Sequence, residues 1–275
     1  MIEIKNIAFS YGNLQVLKNI SLTLEQGRIY GLLGENGVGK TTLLTLLCGL
    51  KKPQEGSIEI DGTSPYKRLP QTLASVCYLP DEPAAMAISP VQFAESFGKF
   101  WDKFDKDKFM TIMKEFDNPT DQRMDKMSCG QLKKTHIAFA LATNARHLLM
   151  DEPTNGLDIP SKAQFRSAVT RHTSEDSTIV ISTHQVRDME SIIDPIIILD
   201  RRDVLLNASV EQITSKLYFD YSSEAAPDAL YKEMLPGATV QVRPNTQGLE
   251  SKVNIEALFN AVHTHKDAMK AMFND

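Results

Sequence analysis

The chain has 275 residues, 42% hydrophobic and 24% charged, an ordinary balance for a protein that buries a large core in one big domain or two smaller ones. Its net charge of −5 gives no support to broad nucleic-acid binding, so no nucleic-acid partner is expected. No apolar run approaches the roughly 18 residues that span a bilayer, and Met1-Ile2-Glu3-Ile4-Lys5 alternates like a strand, not like a signal peptide. Cys48, Cys77 and Cys129 are too scattered for a disulfide framework or a metal cluster, so a cytoplasmic protein with reduced thiols is expected.

Taken in chain order, strand-like segments occur at Ile2–Phe9, Ile20–Leu24, Arg28–Leu33, Ser57–Asp61 and Ser75–Leu79. Helical patterns are predicted at Thr41–Leu50 and through most of Glu82–Met127, where Phe93, Phe97, Phe100, Trp101 and Phe104 recur at helical spacing. Most of those rings are expected to form the core of a small helical subdomain. Further on, helices are predicted at Gln131–Thr143, Ser161–His172 and Gln185–Ile193. They alternate with apolar strands at His147–Met150, Thr178–Ser182 and Pro195–Asp200. Continuous apolar runs such as Ile196-Ile197-Ile198-Leu199 suit parallel strands covered on both faces, which implies an α/β sheet with an antiparallel addition from the early strands. Near Tyr218 the character changes. Short strands at Leu217–Tyr221 and Thr239–Arg243 and helices at Asn254–Val262 and Lys266–Phe273 suggest a small α+β extension.

The most informative stretch is Gly34-Glu35-Asn36-Gly37-Val38-Gly39-Lys40-Thr41-Thr42, between an apolar strand and a helix. Glycines at this spacing let the backbone curl so that N–H groups converge on a phosphate, with the positive end of the helix dipole behind them. Lys40 can then reach the β- and γ-phosphates and the Thr41 hydroxyl can bind Mg²⁺. A glycine-rich turn before an ordinary helix is the bland alternative. Downstream, His147-Leu148-Leu149-Met150-Asp151-Glu152 is an apolar strand ending in two carboxylates. Asp151 is placed to hold Mg²⁺ through water and Glu152 to orient or deprotonate an attacking water. By itself, such a strand could equally end in two solvated acids; after a phosphate loop the catalytic reading is favoured. Met127-Ser128-Cys129-Gly130-Gln131 precedes a helix, where Ser128 suits an N-cap and Gly130 a close approach to phosphate, and both can hold together. Thr154-Asn155-Gly156-Leu157-Asp158 and Ser182-Thr183-His184 follow, the latter putting a histidine at the end of an apolar strand.

Together these motifs resemble the ATP-binding cassette (ABC) ATPases, the middle one their LSGGQ signature, the last two their D-loop and switch histidine. The resemblance is to the ATP-binding subunit of a bacterial ABC transporter of the exporter type and covers roughly residues 1–217. It implies a P-loop NTPase cassette with an antiparallel β subdomain, a helical subdomain at about 82–145 and a C-terminal extension at 218–275. ATP and Mg²⁺ are the implied cofactors. Tyr11 would stack on adenine, worth about 1–3 kcal/mol for aromatic–base stacking elsewhere, although a half-buried strand tyrosine would look the same. Gly34, Asn36, Gly37, Gly39, Lys40, Thr41 and Thr42 would cradle the phosphates; Thr41, Asp81 and Asp151 would serve the metal. Glu152, His184 and Lys40 would be the catalytic group. Ser128, Gly130 and Gln131 would face the nucleotide of a second cassette, a copy or a homologue, in a head-to-tail dimer. A separate membrane permease would be the other partner, with the chain peripheral on the inner face of the cell membrane. Two positions depart from the family pattern. Cys129 stands where the signature has a small residue, often glycine, and would be strained if the site needs a positive φ. Asp81 stands where glutamine is usual in the Q-loop. A soluble ABC-type ATPase acting without a permease, or a regulatory protein that senses a ligand through its tail, are the competing readings.

Overall fold

The computed structural model describes residues 1–200, 203–222 and 226–273. Strand β1 (Ile2–Tyr11) turns through Gly12-Asn13 into β2 (Leu14–Leu24), a two-residue hairpin with Gly12 at a positive φ of 56°. Strand β3 (Ile29–Leu33) feeds the glycine loop and helix α1 (Lys40–Leu47). Next come β4 (Glu55–Ile60), α2 (Pro70–Ala74) and β5 (Val76–Leu79). A helical stretch follows with α3 (Pro90–Phe97), α4 (Lys106–Glu115) and α5 (Cys129–Ala142). Then come β6 (His147–Asp151), α6 (Ile159–His172), β7 (Thr178–Thr183), β8 (Ile196–Asp200), β9 (Asp203–Ala208) and α7 (Val210–Lys216). The last described elements are β10 (Leu217–Ser222), β11 (Tyr231–Leu235), β12 (Ala238–Pro244), α8 (Ile255–Thr264) and α9 (Lys266–Phe273).

The central sheet runs β5-β6-β7-β3-β8-β9, parallel except for β9. Every residue of β6 and β7 is buried, which is why their sequences are continuous apolar runs and not alternating ones. The order brings the carboxyl ends of β3, β5, β6 and β7 to one edge, where Gly34, Pro80, Glu152 and His184 begin the following loops. That edge is where ligands bind in open parallel sheets. The early strands form their own antiparallel sheet, β2-β1-β4, as expected.

The structure corrects the sequence reading at three places. The helix expected at Gln185–Ile193 is only a one-turn 3₁₀ helix at Val186–Asp188. This connection is anchored from outside: the Lys162 ammonium donates to Gln185 Oε1 at 2.8 Å and pairs with Asp188 at 2.6 Å, while Arg166 donates to the Asp188 carbonyl at 3.0 Å. Strands β9 and β11 and helices α2 and α7 were not anticipated, although α7 and β11 carry signals. Ser209 and Gln212 form a reciprocal capping box at the start of α7. Pro236-Gly237 makes the turn between β11 and β12, with Gly237 at φ 83°. The aromatic stripe is divided. Phe93 is core, Phe97, Trp101 and Phe104 are half-buried, and Phe100 is 61% exposed.

One apolar core runs from Phe165 and Ile181 of the central sheet region to Phe219, Val242 and Leu258 beyond residue 217. Side chains of the extension therefore exclude water from the same interior as the sheet does. Leu258→Ala is expected to lower the stability of the whole chain by about 2–5 kcal/mol, read as a shift in one cooperative denaturant transition. A separate early transition for the tail would show that it folds independently.

Candidate functional site

The loop after β3 is shaped by steric necessity. Gly39 has φ 113°, and a Cβ there would lie 2.9 Å from Leu17 Cδ2 and Val16 Cγ1. A Cβ on Gly34 would sit 2.7 Å from the Leu199 carbonyl oxygen. Gly39 precedes α1 with no side-chain cap, so the first amides of that helix are left to other acceptors. Lys40 is 6% exposed; its ammonium donates to the carbonyls of Gly34 at 2.8 Å and Glu35 at 3.3 Å and pairs with Glu152 at 3.6 Å. Burial pushes the Lys40 ammonium below the ordinary lysine range, against the pull of Glu152 and Asp151.

Asp151, at the tip of β6, is a buried carboxylate with its lone pairs engaged. Thr41 Oγ1 donates to Oδ2 at 2.6 Å, Tyr78 reaches the same oxygen at 3.5 Å, and Ser182 Oγ donates to Oδ1. Burial, reinforced by Asp151, pushes the Tyr78 phenol up, so it remains a donor. Glu152 follows at φ 44°, a left-handed conformation unusual for a residue with a side chain. Its N–H donates to the Ser182 carbonyl and hydroxyl, both at 3.1 Å. Its carboxylate lies 2.9 Å from His184 Nδ1 and accepts the His184 backbone N–H at 3.3 Å.

These groups open onto a cleft of about 520 Å³ lined by Tyr11, Asn36, Gly37, Gly39, Lys40, Thr41, Thr42, Asp81, Glu152 and His184, all expected from the sequence. Leu14, Val16 and Asn155 complete the lining. Tyr11 is exposed at the rim, its hydroxyl 3.3 Å from Thr42 Oγ1 and its ring 4.5 Å from the Lys51 ammonium. Asp81 faces the same space, with its carboxylate held by Lys133 at 3.1 Å and Asn155 at 3.3 Å. Ser128, Gly130 and Gln131 do not line this cleft. They lie at the start of α5, where Ser128 and Gln131 form a capping box and Ser128 and Cys129 are exposed.

Cys129 is the first residue of α5, so its backbone is helical and the strain expected for a positive φ does not arise. Cys129→Gly should leave the ATPase rate within about twofold of the parent and cost at most about 1 kcal/mol in a thermal melt. A tenfold faster enzyme would show instead that the thiol obstructs the signature. The sequence reading passed over Lys133, whose place four residues before Ile137 puts it on the buried face of α5.

The ABC transporter family profile matches residues 17–155. The chain belongs to the ABC transporter ATP-binding proteins. The cassette is 30% identical over 192 residues to the ABC transporter ATP-binding protein YtrB of Bacillus subtilis, covering 69% of this chain and 65% of that one. It is also 30% identical over 205 residues to the SkfA peptide export ATP-binding protein SkfE of the same organism, covering 72% of this chain and 85% of that one. A solved ATP-binding subunit of an ABC transporter superposes with a TM-score of 0.71 at 21% identity, over 78% of this chain and 91% of that one. The fold is thus the ABC cassette, and membership makes the chain an ATP-binding ATPase.

Proposed function

We propose that this cassette hydrolyses ATP to drive export of a substrate through a separate membrane permease. The observation that carries the reading is the convergence of Lys40, Thr41, Glu152 and His184 on one cleft, with Asp151 buried behind Thr41, from three neighbouring strands. Tyr11 stacks on the adenine, and the loop from Gly34 to Thr42 cradles the phosphates. Thr41 and Asp151 offer the hard oxygens that suit Mg²⁺, and Asp81 contributes from the opposite rim through water. When bound, Mg²⁺ supplies neutralisation of the charge on the β- and γ-phosphates.

Glu152 takes a proton from water as the water oxygen bonds to the γ-phosphorus. The bond to the β-phosphate oxygen breaks, and ADP leaves with the electron pair. The Lys40 ammonium, which donates to the Gly34 and Glu35 carbonyls, and His184 Nδ1 both face the Glu152 carboxylate, at 3.6 and 2.9 Å. A γ-phosphate offers them a stronger anion, which releases the Glu152 carboxylate for water and leaves the two donors to stabilise charge on the transferring group. Ser128, exposed, and Gly130 and Gln131, partly exposed, lie outside their own cleft and serve the nucleotide of a partner cassette, so ATP closes the dimer.

Residues 1–217 form the ATPase unit, with the helical subdomain at 82–145, and 218–275 an accessory extension. A groove of about 640 Å³ beside β5 is walled by Leu79, Pro83, Phe97, Phe100, Trp101 and Phe139. Its apolar wall suits an amphipathic cytoplasmic helix of the permease, and this supports a position on the inner face of the membrane. Among the described residues no helix is long and apolar enough to cross a membrane. The likeness to SkfE, a SkfA peptide export ATP-binding protein, supports the export direction.

Pull-down of the Glu152→Gln protein with ATP and Mg²⁺ from detergent-solubilised host membranes tests the reading. A polytopic membrane protein, recovered by this variant and lost when Phe100→Glu is added, is the expected result. Recovery of soluble partners or of the cassette alone would replace the transporter reading with that of a free-standing ATPase.

A further inference from the structure

Lys133 is 4% exposed, yet its ammonium is fully employed. It donates to the Asp81 carbonyl, to Asp81 Oδ1 at 3.1 Å and to the Glu152 carbonyl at 3.3 Å. An ammonium has three N–H donors, and here each has an oxygen. One turn further along α5, His136 Nε2 lies 3.1 Å from the Ala84 carbonyl. Helix α5 therefore grips the segment 81–84 at two points, and one of those grips also holds the backbone of Glu152.

The Glu152 backbone needs holding. A residue with a side chain at φ 44° sits in a conformation that costs about 1–3 kcal/mol and persists only where its surroundings impose it. Ser182 fixes the N–H side of that residue. On the carbonyl side, the Asn155 backbone N–H donates at 3.1 Å and the Lys133 ammonium is the side-chain donor, at 3.3 Å. We propose that Lys133 is a positioning residue: it locks the Glu152 backbone so that the carboxylate is aimed into the cleft, and it ties that lock to Asp81 on the opposite rim. This rests on the reading of Glu152 as the base.

The pairing also accounts for the aspartate at position 81. A neutral amide there would leave the buried ammonium without a counter-charge, and removing one partner of such a pair is costly. Asp81 supplies that charge, and Asn155, from the loop after β6, donates to the same carboxylate. Asp81, Lys133, Glu152 and Asn155 thus form one connected unit spanning the β5 loop, α5 and the β6 loop. The same β5 segment continues into the apolar groove through Pro80, Pro83 and Ala84. Displacement of that segment is transmitted to the base through the Lys133 ammonium and through Asn155, whose backbone N–H donates to the Glu152 carbonyl at 3.1 Å.

The test is Lys133→Met, which keeps the stem and removes the donors, compared with Lys133→Arg, Asp81→Asn and Glu152→Gln. ATP affinity is measured by nucleotide titration and folding by thermal melt. Lys133→Met is expected to lower kcat about 10–100-fold, the scale of a 1 Å misplacement of a reacting group, with ATP affinity and KM within about twofold of the parent. Lys133→Arg should recover part of kcat. Asp81→Asn should lower kcat less and add little to Lys133→Met, because both changes break the same unit. If Lys133→Met proves unstable, the Asp81→Asn comparison carries the test: a parental kcat there would overturn the proposal. So would a parental kcat in folded Lys133→Met while Glu152→Gln is inactive. Parental activity of Glu152→Gln would instead overturn the assignment of the base on which the proposal stands.

Discussion

Glu152→Gln is expected to lower the ATPase rate by about 10²–10⁴-fold, the usual worth of a general base, while ATP binding is retained or tightened. Glutamine keeps the size of the side chain and can still accept the His184 backbone N–H, so the loop geometry survives. What disappears is the carboxylate that accepts the proton of water. The negative charge beside the γ-phosphate is removed as well, which favours the anion. Lys40 and His184, no longer held by a carboxylate, are free to bind phosphate before any chemistry occurs. ATP should therefore accumulate on the variant, and with it the closed dimer. Phosphate release in single turnover, nucleotide titration and light scattering with and without ATP separate these effects. A variant that hydrolyses ATP at the parental rate would show that Glu152 is not the base.

How much of this was legible in the sequence follows from the range of each interaction. The phosphate loop, the carboxylate pair and the switch histidine are each set by a strand and the loop that follows it, so their positions are fixed within a few residues of the chain. Eight lining residues of the cleft beyond Tyr11 were read from these three motifs, and Asp81 from the loop after β5. Lys133 was not, because its partners Asp81 and Glu152 lie 52 and 19 residues away and only the packing of α5 brings them together. Position 81 was singled out as a departure from the family pattern, but its counter-charge was invisible without the fold.

The failures in the fold have the same origin. Gln185–Ile193 carries a helical apolar pattern because Met189 and Ile193 both point into the core, and side chains of α6 fix the connection in another form. Strand β11 has four exposed residues and lies at the edge of its sheet, so no alternation announced it. The C-terminal helices, by contrast, were found because α8 turns a clear apolar face, with Ile255, Leu258 and Val262, to the interior.

Lys40→Ala is expected to act on a different step. Charge-assisted hydrogen bonds contribute about 1.5–3 kcal/mol each, so losing the ammonium should weaken ATP binding by about 10–150-fold. The loss falls on the ground state as well as on the transition state, so both the dissociation constant and kcat should suffer, unlike in Glu152→Gln. The ammonium is also the nearest positive charge to Glu152, and without it a carboxylate faces the γ-phosphate unscreened. Repulsion therefore adds to the lost attraction. The doubly changed Lys40→Ala, Glu152→Gln protein isolates that part: it should bind ATP more tightly than Lys40→Ala alone, and the difference measures the repulsion. Affinity remaining in the double variant belongs to the glycine loop and the uncapped amides of α1, which no side-chain substitution removes. Unchanged ATP affinity in Lys40→Ala, measured by titration calorimetry, would mean that those amides hold the phosphates by themselves and that Lys40 serves only to restrain Glu152.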